Sequence, residues 1–292
     1  MTMRTVEGRG AAVGRLARGR TGLAVAALAG VFGLATTAAM AAPARIILLR
    51  HGEKQDAYRL CATGAERAQA LAARYLGKSA TQSLFRPGET PKAFFAVTLH
   101  TLETISPSAM SWAMPVTIYS SLPGGSAQAL DDTIDVRTGQ LVQNLLADPI
   151  WNGSTVVITW EHDHIAKKEK APAAGAAKAH GDAPHDSGQT EGAHKGGGHK
   201  DGAKASGHRP EAPSTLYGLL GLKDVPGALA SWPGATYDYF WIIDFDPATG
   251  QVTQFAKQKQ VYDGPYANLP QNDWGAPNGL TAASGCALAH GG

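Results

Sequence analysis

Two short stretches of this 292-residue chain set titratable side chains directly behind apolar runs. "RIILLRHGEK" carries Ile46 to Leu49 into Arg50, His51, Gly52, Glu53 and Lys54. "STVVITWEHDHI" carries Val156 to Trp160 into Glu161, His162, Asp163 and His164. In open parallel sheets, ligands bind beyond the carboxyl ends of the strands. If both runs are strands of one such sheet, imidazole, guanidinium and carboxylate groups converge there on one ligand. A lone Arg-His-Gly tripeptide turns up by chance, and a lone histidine is more often structural. Two histidine clusters behind two apolar strands carry more weight.

The elements that must position these residues are legible as patterns. "RIILL" (Arg45–Leu49), "AFFAV" (Ala93–Val97), "VTIY" (Val116–Tyr119) and "STVVITW" (Ser154–Trp160) are short continuous apolar runs, as strands covered on both faces require. Between the first two, "TGAERAQALAARYL" has Thr63 and Glu66 at capping-box spacing, with Ala68, Leu71, Ala72, Tyr75 and Leu76 on one helical face. "SPSAMSWAM" predicts a helix capped by Ser106 with Pro107 at its first position, and "TGQLVQNLLAD" (Thr138–Asp148) predicts another. Strands alternating with helices imply a mostly parallel sheet between helical layers, a three-layer α/β/α sandwich. Near the end, "TYDYFWIIDFDPATGQVTQFAKQ" predicts an antiparallel hairpin turning at Asp246–Gly250, at a sheet edge.

Composition bounds the rest. Five arginines, an apolar stretch and Ala39-Met40-Ala41 predict a signal peptide over residues 1–41, with an uncleaved anchor as the alternative. Those residues hold five Arg and one Glu, so their removal takes the formal charge from +2 to about −2. The basicity belongs to targeting, which argues against a nucleic-acid surface and against stable membrane association after cleavage. Residues 42–292 suit a single domain with one substantial core. Within it, 166–213 is poor in aliphatic and aromatic residues and predicts a disordered insertion, since it cannot bury enough surface to offset its ordering entropy. Its histidines (His180, His185, His194, His199, His208) could ligate a metal, although no spacing imposes tetrahedral geometry. Cys61 and Cys286 are either a disulfide formed in an oxidising compartment or two unrelated thiols.

"LLRHGEK", "LCATGAERAQALA", "FFAVTLHTLETISPSA" and "VVITWEHDHI", in this order with the closing hairpin, resemble the histidine phosphatase superfamily, the phosphoglycerate-mutase-like fold. The resemblance covers most of the chain outside the leader and 166–213. It implies that His51 attacks phosphorus and becomes a phosphohistidine, that Arg50 neutralises phosphate oxygens, and that Gly52 lets backbone approach the phosphate. His162 would donate to the same phosphate, and neither metal nor cofactor would be required. The leaving alcohol's proton would come from Asp163, which follows the second histidine as in the acid-phosphatase branch. Glu161, Asp131 and Asp132 are the reserves.

One departure stands out. Where the family places a second phosphate-binding arginine, "AVTLHTLETI" offers His100, with Thr104 at the following threonine's place. Either a protonated His100 substitutes, or Arg59 or Arg67 reaches in, or the pocket is weakened. Arg67, beside Glu66 on a predicted helix, could equally serve packing and solvent. The leading expectation is an exported phosphomonoesterase acting on a small phosphorylated substrate. The alternatives are a weakened phosphatase-like binding module, with metal captured by 166–213, and a phosphoglycerate-mutase-type phosphotransferase. No stretch encodes the substrate's identity or the oligomeric state.

Overall fold

The computed structural model describes residues 42–167 and 214–287. The expected signal peptide and all but the first two residues of 166–213 lie outside the described residues, so neither expectation is met or overturned. Strand β1 (Arg45–Arg50) is followed by helix α1 (Ala62–Leu71), which runs into one turn of π-helix, Ala72–Leu76. Then come β2 (Pro91–Ala96), α2 (Leu99–Ser111), β3 (Val116–Ile118), α3 (Ala127–Ala147) and β4 (Thr155–Trp160). A short α4 (His162–Ile165), α5 (Leu216–Leu219), β5 (Tyr239–Phe245) and β6 (Val252–Lys259) complete the regular elements.

The six strands form one mixed sheet in the order β3-β2-β4-β1-β5-β6. β1, β2, β3 and β4 pair in parallel, whereas β5 runs antiparallel to β1 and to β6. Period-2 alternation divides each central strand between two cores. Ile46, Leu48, Val156 and Ile158 pack with Leu141 and Leu145 of α3. On the opposite face, Ile47, Leu49 and Val157 pack with Leu71, Leu76, Ile105 and Ala109 from the α1 and α2 side. Both residue sets are essentially free of solvent, which explains why these strands read as unbroken apolar runs.

The helix starts depart from expectation. α1 starts at Ala62 with Cys61 as cap residue, and no side chain caps it, so the Thr63–Glu66 box does not form. α2 starts at Leu99 rather than near Ser106: Thr98 Oγ1 accepts from the Thr101 amide, and the Thr101 hydroxyl closes a reciprocal box. Pro107 therefore sits inside the helix instead of opening it. α3 starts at Ala127, where Ser126 accepts from the Ala129 amide, so Thr138 is interior and its hydroxyl accepts from Trp160 Nε1 at 2.9 Å. Asp131, Asp132 and Asp135 hide the helical period of that first half, in which Ile134 is the one buried residue. Its buried stripe becomes visible only at Ile134, Thr138, Leu141, Val142 and Leu145.

Candidate active site

Because β2, β4 and β1 are parallel neighbours, their carboxyl ends open on the same edge of the sheet. Arg50 and His51 leave β1 there, Glu161 and His162 leave β4, and Thr98 and His100 follow β2. Each chain turns at once into a helix or loop, so these side chains are fixed by backbone that the sheet holds.

His51 is fully buried. Its Nδ1 lies 2.6 Å from the Gly52 carbonyl oxygen, which can only accept, so Nδ1 carries the proton and Nε2 presents a lone pair. Arg50 Nη2 donates to Nε2 at 3.2 Å. The rest of Arg50 is anchored: Nη1 donates to the Gly234 carbonyl at 2.6 Å, and the guanidinium lies 3.8 Å from the centre of the Tyr237 ring. Only Nη2 and Nε, which has no partner, remain to meet a ligand.

Glu161 Oε2 also faces His51 Nε2, at 3.2 Å, and lies 3.8 Å from Lys54 Nζ. The other oxygen, Oε1, accepts from the Thr98 hydroxyl at 2.8 Å. That hydroxyl has given its proton away, so His100 Nδ1 donates to it at 3.2 Å, and His100 Nε2 is left buried without a partner. The His100 and His51 rings are 5.3 Å apart and tilted by 33°. His162 meets His51 edge-on at 6.2 Å, and its Nδ1 is also buried and unpartnered.

Burial governs the protonation of all three rings. It lowers His51 below the usual imidazole range, with Arg50 and Lys54 adding to the effect and Glu161 opposing it. It takes His100 down to about 3 against the pull of Glu161, and His162 down to about 2 with help from Arg50 and His51. Burial alone would raise Glu161, but the positive charge that His51 carries when protonated, together with Lys54, holds the carboxyl well below its ordinary range. Near neutral pH the buried cluster thus sets Arg50, Lys54 and the Glu161 carboxylate among the three neutral imidazoles of His51, His100 and His162. A cavity of about 190 Å³ opens onto it, lined by Lys54, Thr98, His100, Glu161, His162 and Asp163 among others. His51 is not among the lining residues.

Of the expected site residues, Arg50, His51, Glu161, His162 and His100 are brought together. His100 occupies the pocket but carries no charge in the free protein, unlike the arginine it would replace. Asp163 is half exposed at the cavity, with Oδ1 3.6 Å from His162 Nε2. Asp131 lines the same cavity near His164 Nε2, whereas Asp132 is exposed and accepts from Gln128. Arg59 is not delivered: its side chain is 63% exposed and pairs with Asp56. Arg67 serves packing rather than solvent: it is buried in a bidentate pair with Glu53, at 2.6 and 2.9 Å. Gly52 is needed for packing: a Cβ there would lie 3.0 Å from the Gly64 carbonyl oxygen of α1. Its amide donates to Thr104 Oγ1, whose hydroxyl donates to the His100 carbonyl.

Sequence reasoning missed Lys54, Thr98 and Tyr237. Lys54 was visible, since it closes the "RHGEK" motif three residues after His51. Thr98 had a signal in the Thr-x-x-Thr spacing that caps α2. Tyr237 had none, because it reaches Arg50 only through the antiparallel return of the chain to β5. No family model, no curated protein and no solved structure matches this chain.

Proposed function

We propose that this chain is an exported phosphomonoesterase of the histidine phosphatase type, on a three-layer α/β/α sandwich closed by a carboxyl-terminal hairpin. The observation that carries the reading is His51 itself: Nδ1–H tied to the Gly52 carbonyl, Nε2 unprotonated and facing Arg50. Nε2 attacks phosphorus in line, a nitrogen–phosphorus bond forms, and the ester oxygen–phosphorus bond breaks. Arg50 and Lys54 offset charge on the phosphoryl oxygens. Water then attacks phosphorus, the nitrogen–phosphorus bond breaks, and phosphate leaves with the imidazole neutral again.

The leaving oxygen takes its proton from Glu161 in preference to Asp163. Glu161 stands 3.2 Å from Nε2, where a phosphoryl oxygen has to sit, so an arriving dianion repels its charge and raises its proton affinity. It enters the reaction as the acid and later recovers a proton from the attacking water. Asp163 is half exposed, so water screens it from the charge of an arriving dianion. A cavity of about 190 Å³ supports a small ester as substrate. Export is supported by the bridge between Cys61 and Cys286, since disulfides persist in oxidising compartments. No described helix is long and apolar enough to cross a membrane.

The test is release of inorganic phosphate from an aryl phosphate, with capture of the phosphoenzyme by acid-labile radiolabelling. His51→Ala is expected to lose both signals. Label retained by the variant, or wild type that releases no phosphate from any monoester, overturns the reading.

A further inference from the structure

His51, Glu161 and His162 offer one ligand atom each, all within 4.8 Å of one another. Two features of that trio leave ligand atoms without full partners. Nε2 of His51 and Oε2 of Glu161 are both lone-pair atoms, yet they face each other at 3.2 Å. Close approach of two acceptors is repulsive unless something positive lies between them. Arg50 Nη2 relieves Nε2 but has no contact with Oε2 within hydrogen-bond distance, and Lys54 stands off at 3.8 Å. Independently, His162 Nδ1 is buried with no donor or acceptor among the described residues. An orphaned imidazole nitrogen in a buried site is unfavourable unless a ligand meets it.

We propose that His51, Glu161 and His162 form a binding site for a divalent transition-metal ion of the zinc class. Two neutral imidazoles and a carboxylate are a ligand set for zinc and its neighbours rather than for magnesium or calcium, which take oxygen ligands. Thr98 holds Oε1, so the carboxylate is already oriented. Arg50 and Lys54 oppose a second cation nearby. Lys54 is one-third exposed and can swing to water, but Arg50 is anchored, so occupancy is reversible rather than permanent. Metal on Nε2 uses the lone pair that would attack phosphorus. On the phosphatase reading, on which this consequence rests, zinc is therefore a competitive brake on phosphoryl transfer.

The experiment is zinc titration of the chelator-stripped mature chain against a chromophoric chelator, for wild type, Glu161→Gln and His162→Gln. The five histidines within 166–213 are present in all three proteins, so the difference isolates this site. The expected result is a loss of one equivalent, or affinity weakened at least 100-fold, in both variants. Cobalt provides a second readout: wild type should show a visible absorption band that both variants lack, and circular dichroism establishes that each variant is folded. If one variant fails to fold, the other decides. Equal stoichiometry and affinity in wild type and a folded variant overturn the metal site, even if zinc inhibits. Phosphate release measured in chelator judges the phosphatase reading separately: an inactive wild type with an intact zinc site would sink that reading and leave this one standing.

Discussion

At the scale of single residues, Glu161 carries two opposed demands. On the phosphatase reading, its carboxylate, close to His51 Nε2, repels an arriving phosphate and yet has to take up the proton that the leaving oxygen requires. Replacing it with glutamine removes the charge and keeps the shape. Two unit charges near 4 Å interact by about 4 kcal/mol at an effective dielectric of 20, and screening by Lys54 leaves a fraction of that. Glu161→Gln is therefore expected to bind inorganic phosphate roughly 10-fold more tightly, a change of about 1.4 kcal/mol, while kcat falls by about 10²-fold or more for lost acid catalysis. Inhibition constants and single-turnover rates measure the two effects separately. If kcat is unchanged and Asp163→Asn is the inactive variant, the proton comes from Asp163. The sequence made the chemical types at this site legible, because strand ends are where apolar runs stop. It did not show that Glu161 faces His51, nor that His100 is neutral, since both depend on which atoms burial leaves beside them.

At the scale of elements, the tight junction between β1 and α1 fixes His51. A Cβ on Gly64 would fall 2.1 Å from the Glu53 carbonyl oxygen and 2.8 Å from its amide nitrogen, both backbone atoms that cannot rotate away. Gly64→Ala must push α1 off the Gly52–Glu53 backbone whose carbonyl orients His51. It is expected to cost about 3 kcal/mol, at the upper end of overpacking penalties, and to reduce phosphoenzyme formation. Gly139 of α3 is the contrast, because nothing lies within 4 Å of an added Cβ. Gly139→Ala should stabilise the fold by about 0.5–1 kcal/mol through helix propensity alone. Urea denaturation of the pair checks both signs, and equal shifts would mean that the close approach at Gly64 is absent. The strands were legible because two-sided burial writes them as apolar runs. Helix starts were not: Thr98 and Ser126 cap through one side-chain bond each, and Pro107 marks an interior rather than an entrance.

For the molecule as a whole, two long-range devices bear on stability. The bridge between Cys61 and Cys286 spans 225 residues and ties the tail to the start of α1. Ala287 then donates its amide to the carbonyl of Lys54, beside the cavity. Sequence could not choose between bridge and free thiols, because only the folded path brings their Cα atoms to 5.1 Å. Closing so long a loop restricts the unfolded chain, and losing it by Cys61→Ser with Cys286→Ser should cost roughly 2–5 kcal/mol. Identical urea midpoints for wild type and the double variant would show that no bridge forms. The second device is the buried histidine cluster, whose effect depends on pH. In the unfolded chain each imidazole titrates near ~6.5, but folding lowers His100 to about 3 and His162 to about 2. Above pH ~6.5 both states are neutral and neither ring affects stability. Below it the unfolded chain binds protons that the folded chain refuses, so stability is lost as pH falls. The upper limit is about 1.4 kcal/mol per pH unit for each ring, and mutual repulsion with His51 and Arg50 keeps the rings from titrating independently. Glu161, held low in the fold, adds in the same direction once pH drops below the ordinary carboxylate range. Urea midpoints should therefore be level between pH 8 and 7 and fall steadily from pH 6.5 to 5, with a shallower fall in His100→Gln, which cannot be protonated. A level profile down to pH 5 in wild type would mean that the rings take up protons inside the folded site as readily as in the unfolded chain, and that burial does not hold them neutral.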